Sequence, residues 1–311
     1  MDKILITGGS GFIGSVLTKL LLENNYKVTV IDSLIYNQDS LNYCCNHDNF
    51  EFIRGDICNF ELINKYISKS DIIIPLAAIV GAPACDKNKE LTKLVNFDAH
   101  VNIINNSSKN QMIIFPNTNS GYGIGKNNEL CDETSPLNPV SLYGKLKVEI
   151  EKVFLNNNNA IALRLATVFG VSPRMRTDLL VNNFVLKAVT DKYLVLFEQN
   201  FRRNYIHIQD IANTFLFCIK NFERMKNQAY NVGLSSANLT KRELAEKIKT
   251  HIPELLIQAS NIGKDPDKRD YIVSNKKLED LGWKPLFSLD RGINELIRCY
   301  KFLNFSNHQN I

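Results

Sequence analysis

Apolar residues fall in short runs along the first half of this 311-residue chain, and between the runs they recur at helical spacing. KILIT (3–7), KVTVI (27–31), FEFIR (50–54), DIIIP (71–75), QMIIFP (111–116) and AIALRLA (160–166) read as strands buried on both faces. Amphipathic stretches such as FIGSVLTKLLLENN and NKELTKLVNFDAHVNIINNSS separate them. Strand and helix in alternation predict βαβ units, hence an α/β fold with a doubly wound parallel sheet. In such a sheet, ligands sit at the carboxyl ends of the strands.

After about residue 170 the rhythm changes: segments shorten, and arginines appear in SPRMR, FRRN and DKRD. NYIHIQDIANTFLFCI is apolar enough to read as a strand and helix that return to the sheet. This predicts two interleaved units. Residues 1–170 with 201–232 form the cofactor domain, and 171–200 with 233–311 form a smaller substrate domain. The polar tail NFSNHQNI reads as frayed.

Composition narrows the class. Hydrophobic residues at 44% and charged residues at 22% are ordinary for a soluble globular protein. The longest apolar run, Ile72 to Cys85, is too short to span a bilayer and is interrupted by Pro75 and Gly81. MDKILITGG enters a strand directly, which argues against a secretory signal. Seven cysteines, odd in number and without metal-ligand spacing, predict free thiols in a reducing cytoplasm and no metal site. A net charge of +5 spread along the chain favours small anions over nucleic acid.

ITGGSGFIGS follows the first strand and opens a helix. Gly8 permits the tight turn, Gly11 lets backbone approach a pyrophosphate, and Gly14 allows close packing of helix on strand. The next strand ends in Asp32, whose carboxylate suits two ribose hydroxyls and repels a 2′-phosphate. The reading is NAD(H) rather than NADP(H), with a helix-capping Asp as the plain alternative. Asp56, in GDI after the third strand, is placed to accept from an adenine amino group or to serve as an ordinary turn residue. Leu76, Ala77 and Ala78 end the fourth strand with small residues that suit either a cofactor or plain packing.

Tyr143 and Lys147 stand four apart in SLYGKLKVEIEKVF, on one face of a helix. A phenol is a poor base near neutrality, and a neighbouring ammonium together with the positive nicotinamide lowers its pKa.

TGGSGFIG, Asp32, GDI, LAA, the Thr118 strand end, the Tyr143–Lys147 pair, RLATVFG, RRNYIHIQDIA and LGWKP occur in one order from residue 3 to about 300. Together they resemble the extended short-chain dehydrogenases/reductases, the NAD-dependent sugar-nucleotide epimerases and dehydratases. The resemblance implies a Rossmann-type fold with a tightly held NAD(H) touched by Gly8, Gly11, Phe12, Ile13, Gly14, Asp32, Asp56, Ile57, Leu76, Ala77, Ala78, Asn96, Tyr143, Lys147, Ala166 and Val168. It also implies that Tyr143 is the base, Lys147 its pKa-lowering partner, and Thr118 the hydroxyl that binds the reacting alcohol.

Relatives that eliminate water place an Asp-Glu pair after this Thr, and 3,5-epimerising ones place a Cys at the second position. Here Asn119 and Ser120 stand there, which confines the chemistry to one alcohol carbon. Oxidation at C4, or oxidation followed by reduction from the other face, both remain open. Cys85 reads as a buried thiol, with a pocket-lining role as the alternative.

For the substrate side, the candidates are Thr118, Asn119, Ser120, Thr167, Arg174, Arg176, Asn182, Arg203 and Arg269. Guanidinium groups suit a nucleotide diphosphate, while ion pairs with Asp178, Asp267 or Asp270 are the plain alternative. PLAAIVGAP, PNTNSGYGIG, ATVFGVSPRMRTDLLVNNF, SSANLTK and DPDKRDY further resemble the GDP-heptose C4-dehydrogenases of bacterial capsule biosynthesis. That likeness implies GDP-D-glycero-α-D-manno-heptose as substrate and 2-oxoglutarate as the acceptor that reoxidises the cofactor. The family likeness also implies a homodimer through the Tyr-bearing helix, for which Leu146, Val148, Ile150 and Val153 are equally readable as core.

Overall fold

The computed structural model describes residues 1–125, 129–157, 159–260 and 269–303. The tail at 304–311, Asn158 of the asparagine run and Asp267 lie outside the described residues. In chain order the strands are β1 (Lys3–Thr7), β2 (Lys27–Asp32), β3 (Phe50–Arg54), β4 (Ile72–Pro75), β5 (Met112–Thr118), β6 (Leu130–Cys131) and β7 (Ala160–Leu165). They continue with β8 (Thr167–Phe169), β9 (Tyr193–Phe197), β10 (Arg202–His207), β11 (Gln228–Val232), β12 (Asn238–Thr240), β13 (Leu256–Ser260) and β14 (Ile272–Val273).

Seven of these form one parallel sheet in the order β11-β7-β5-β4-β1-β2-β3. All six strands read from the sequence belong to it. Their apolar continuity reflects burial on both faces, except in the edge strand β3, where Glu51 and Arg54 are exposed and the other three residues are half-buried. Helices Phe12–Glu23 and Ile208–Lys220 cover one face through Val16, Leu17, Leu21, Ile211 and Phe215. Helices Phe60–Ile67, Ala99–Asn106 and Leu142–Asn156 cover the other through Ile63, Ile103, Ile150 and Phe154. Strand order reverses between β1 and β4, so the carboxyl ends of these two strands open a crevice.

One expectation is corrected. NYIHIQDIANTFLFCI does not return its strand to this sheet: β10 pairs with β8 in parallel and with β12 antiparallel, in a separate sheet. Its helix does cover the main sheet, and the seventh strand there is β11. Burial of β10 arises because it lies against a second core, built from Tyr205, Val181, Val185, Leu244, Ile248, Ile293 and Leu296. That core joins helices Leu180–Thr190, Lys241–His251 and Leu289–Cys299. No helix among the described residues is long and apolar enough to cross a membrane.

Candidate active site

The crevice is closed on one side by the glycine loop. Gly8 has a positive φ of 72°, and a Cβ there would lie 2.6 Å from Ala77 Cα. A Cβ on Gly14 would lie 2.6 Å from the Gly9 carbonyl oxygen. No larger side chain fits either position without displacing backbone. Gly11 precedes helix Phe12–Glu23, in which Phe12 is buried in the sheet core and Ile13 packs against it. Asp32 ends β2, and its carboxylate accepts from the amides of Ser10 (2.9 Å) and Leu34 (2.9 Å). It therefore ties the glycine loop to the strand end rather than capping a helix. Burial raises its pKa, and those two amides pull it back down.

Asp56 is exposed and accepts from the Cys58 amide at 2.8 Å, a turn contact, while Ile57 is buried in the neighbouring core. Leu76 follows β4, its amide bonded to Thr7 O at 2.9 Å, and Ala77 and Ala78 continue the half-buried loop. Ala166 is buried between β7 and β8, with Thr167 and Val168 half-buried beside it. Asn96 lies in a π-helical turn, Leu94–Asp98, and is wholly buried. Its amide clamps one residue, accepting from Ile79 N and donating to Ile79 O, both at 2.8 Å. Its place in the site is thus to fix the loop after β4.

A dinucleotide fits this wall. Gly8 and Gly14 admit no Cβ against the Ala77 and Gly9 backbone, which keeps the loop close to the strand ends where the helix starts, and a carboxylate stands at the second strand end.

Opposite lies helix Leu142–Asn156, started by Ser141, whose hydroxyl accepts from Gly144 N at 3.1 Å. Tyr143 and Lys147 are one turn apart on it. Lys147 is buried, donates to Pro116 O at 2.8 Å and sits 4.4 Å from the Phe115 ring centroid. It is therefore pinned to β5 just before Thr118. Burial lowers the Lys147 pKa to about 7 and raises that of Tyr143 to about 12. The cations that pull Tyr143 back are Arg269 and Arg176. Cys85 is buried, donates to Ile79 O at 3.3 Å and is pushed up to about 11 by burial, so it is a thiol that faces both catalytic groups electrostatically.

Thr118 ends β5. Its Oγ1 lies 2.8 Å from Ser120 Oγ and accepts from Ser120 N at 3.1 Å. Asn119 is wholly buried, and neither end of its amide meets a partner among the described residues. Arg269 donates to Ser120 Oγ, which places this guanidinium on the floor of the site.

The remaining arginines divide. Arg176 pairs with Asp178 at 2.5 Å, and Asp270 pairs with Arg202 rather than with Arg269. Arg174 is buried, donates to Met175 O at 2.6 Å and lies 5.0 Å over the Tyr36 ring. Asn182 is wholly buried and bonds the backbone of Gly170 and Arg176, holding their loop. Arg203 is buried, donates to Arg202 O at 2.9 Å and faces Tyr271 at 5.8 Å.

Three groups escaped the sequence reading. Tyr36, beyond Asp32, lies within electrostatic reach of Arg174, Arg176 and Cys85. Ser172 bonds Phe12 O (2.7 Å) and Ser15 Oγ (2.9 Å), tying the SPRMR loop to the cofactor helix. Glu151, one turn after Lys147, forms a buried ion pair with Arg164 of β7 at 2.7 Å. Arg164 also donates to Tyr122 OH, anchoring the chain beyond Ser120. Only Ser172 left a signal, as the Ser of SPRMR beside the arginines.

The chain is similar to known proteins along most of its length. The model of the "NAD dependent epimerase/dehydratase family" matches residues 4–233. The dTDP-D-glucose 4,6-dehydratase of Mus musculus is 26% identical, over 99% of this chain and 91% of that protein. UDP-glucuronic acid decarboxylase 1 of Danio rerio is 26% identical over 96% of this chain and 72% of its own. A dTDP-glucose 4,6-dehydratase from Bacillus anthracis, solved with NAD, superposes with a TM-score of 0.84 at 23% identity, covering 97% of each chain.

Proposed function

Because the chain belongs to the NAD-dependent epimerase/dehydratase family, we propose that it oxidises a nucleotide-diphospho-sugar at C4 and stops there. The substrate is GDP-D-glycero-α-D-manno-heptose, the product its 4-keto form, and the bound NADH is recycled by a keto acid such as 2-oxoglutarate. The setting is capsular heptose synthesis by a cytoplasmic homodimer. The observation that carries the reading is the floor of the site: Thr118, Asn119 and Ser120 lie before Tyr143 and Lys147, and neither residue after Thr118 is an acid.

Bound NAD⁺ supplies the hydride acceptor and a positive charge that favours the Tyr143 phenolate. Thr118 holds the C4 oxygen, and Tyr143 takes its proton. Lys147, fixed on Pro116 O, keeps the base side of the helix in register with the strand end. Elimination across C5 and C6 needs a second acid–base pair, which Asn119 and Ser120 do not provide. Arg203 and Arg269 are the candidates for the diphosphate.

A second reading is a 4-epimerase, favoured by the family model itself, which spans epimerases. The same Thr118, Tyr143 and Lys147 serve both outcomes. Incubation with GDP-heptose and 2-oxoglutarate, followed by mass analysis, separates them. The dehydrogenase yields a sugar lighter by two hydrogens, and the epimerase yields inverted sugar of unchanged mass. Leu146, Val148 and Ile150 are buried within the chain itself, so a dimer would use other exposed positions of this region, such as Leu91 and Leu94.

A further inference from the structure

Lys147 is a buried cation with little charge to answer it. Its Nζ donates to Pro116 O at 2.8 Å, and no carboxylate among the described residues supports its ammonium. The Cys85 thiol supports it from a distance, but burial pushes that thiol up to about 11, so it is uncharged near neutrality. His100, on the packed helix Ala99–Asn106, is held neutral, its pKa pushed down to about 3 by burial. Glu151 and Tyr122 are engaged by Arg164 of β7, and Asp98 of the π-helical turn acts on Cys58. The charged residues of helices Ala82–Lys87 and Lys89–Lys93 are exposed, as are Lys145, Glu149 and Lys152 on the catalytic helix.

What remains is a ring. The centroid of Phe115, itself wholly buried, lies 4.4 Å from Lys147 Nζ. That ring stacks on Phe154 at 4.3 Å and 17°, and His100 meets it edge-on at 5.8 Å. His100 is held in turn through Nδ1, 3.0 Å from Val95 O. An ammonium over an aromatic face is attracted by the ring quadrupole, most strongly where water is excluded. From this geometry we propose that Phe115 is a positioning residue for the base pair: its ring face and Pro116 O, consecutive on β5, together seat the Lys147 ammonium one helical turn from Tyr143. The proposal rests on the roles given to Tyr143 and Lys147 above. Strand β5 then fixes both the cation and, at its end, the Thr118 hydroxyl.

The test replaces Phe115 with mono-, di- and trifluorophenylalanine, which drain negative charge from the ring face and nearly keep its shape. Full-length, NAD⁺-loaded protein with ¹³C-labelled lysine is titrated by NMR, with Lys147→Met to assign the Cε resonance. Each added fluorine is expected to lower the Lys147 midpoint, by about one pH unit in all, the scale of a desolvated cation–π contact. Phe115→Leu should do the same, and the fluorinated series answers even where that variant does not fold. Single-turnover NADH formation from GDP-heptose should be little changed below the midpoint and up to about tenfold slower above it. Above the midpoint the phenolate–ammonium pair competes with phenol and free amine at equal proton count, and the ring favours only the first.

A Lys147 midpoint that ignores fluorination overturns the proposal. So does a rate lowered equally at every pH, the behaviour of a residue that only fills space. If no nucleotide sugar forms NADH in wild type while the Lys147 midpoint still follows the fluorine count, the dehydrogenase reading falls and the ring seat stands.

Discussion

On the cofactor side of the cleft, Gly8 and Gly14 stand too close to the Ala77 and Gly9 backbone to admit a Cβ, and a strand-end carboxylate holds the loop. On the substrate side, Arg176 and Arg202 are engaged by Asp178 and Asp270, and Arg174 by backbone and the Tyr36 ring. The first wall is built from backbone, and glycine spacing marks it in the sequence. The second is built from long side chains of distant segments, whose partners are chosen by tertiary packing. A glycine has one use at a crowded turn, whereas an arginine has as many uses as there are carboxylates within reach.

The sharpest way to test this contrast is to remove one atom from the shared centre. Tyr143→Phe should lower turnover by about 10²–10⁴-fold, the range for loss of a positioned base. NAD binding, followed by fluorescence quenching, should stay within about twofold, because backbone carries it. An unchanged rate would remove Tyr143 from the mechanism.

Next comes the buried pair under the catalytic helix. Arg164→Met leaves Glu151 charged and unpaired, a loss of about 3–5 kcal/mol for a broken buried ion pair. Thermal unfolding should show a midpoint lower by about 5–8 °C. A shift of a degree or two would mean that the pair is not needed to hold the helix on β7.

Gly14→Ala should cost about 1–3 kcal/mol, since its Cβ meets the Gly9 backbone, and NAD affinity by equilibrium dialysis should fall with it. Wild-type affinity in this variant would contradict the close fit.

Titration gives a subtler handle. The pKa of Lys147 is near 7 in the folded chain against 10.5 for the free side chain. Between those values the unfolded chain binds more protons, so stability rises with pH across that window. In denaturant melts from pH 7.5 to 9.5, Lys147→Met should rise less steeply than wild type. Equal slopes would mean that Lys147 keeps its ammonium.

Smallest is Arg176→Ala. Its guanidinium already serves Asp178, so the KM for the nucleotide sugar should rise by no more than about fivefold, within the range of partly exposed ion pairs. A hundredfold rise would put Arg176 on the diphosphate.

The legibility of the sequence follows the same divide. KILIT, DIIIP and AIALRLA declared themselves as strands because both faces are buried, whereas FEFIR is an edge strand that keeps Glu51 and Arg54 exposed. QAYNV did not, because Asn231 is buried yet fully used by Tyr122, Cys131 and Ser274. Polar residues satisfied by distant partners are indistinguishable in sequence from solvated ones. Glu151 escaped for that reason, and so did the clamp that Asn96 makes on Ile79. The spacing of Tyr143 and Lys147 was readable from helix geometry. The direction in which burial shifts them was not, since desolvation depends on everything packed around the pair.

The central claim is that the chemistry is confined to C4. It is tested most directly by running the reaction with GDP-heptose in D₂O and examining the recovered sugar by mass and NMR. The account predicts a 4-keto product lighter by two hydrogens, with no deuterium placed at C3 or C5 by the enzyme. Loss of water, or enzyme-dependent deuterium at C5, would contradict it, because either requires an acid–base pair that the Thr118–Asn119–Ser120 floor does not contain.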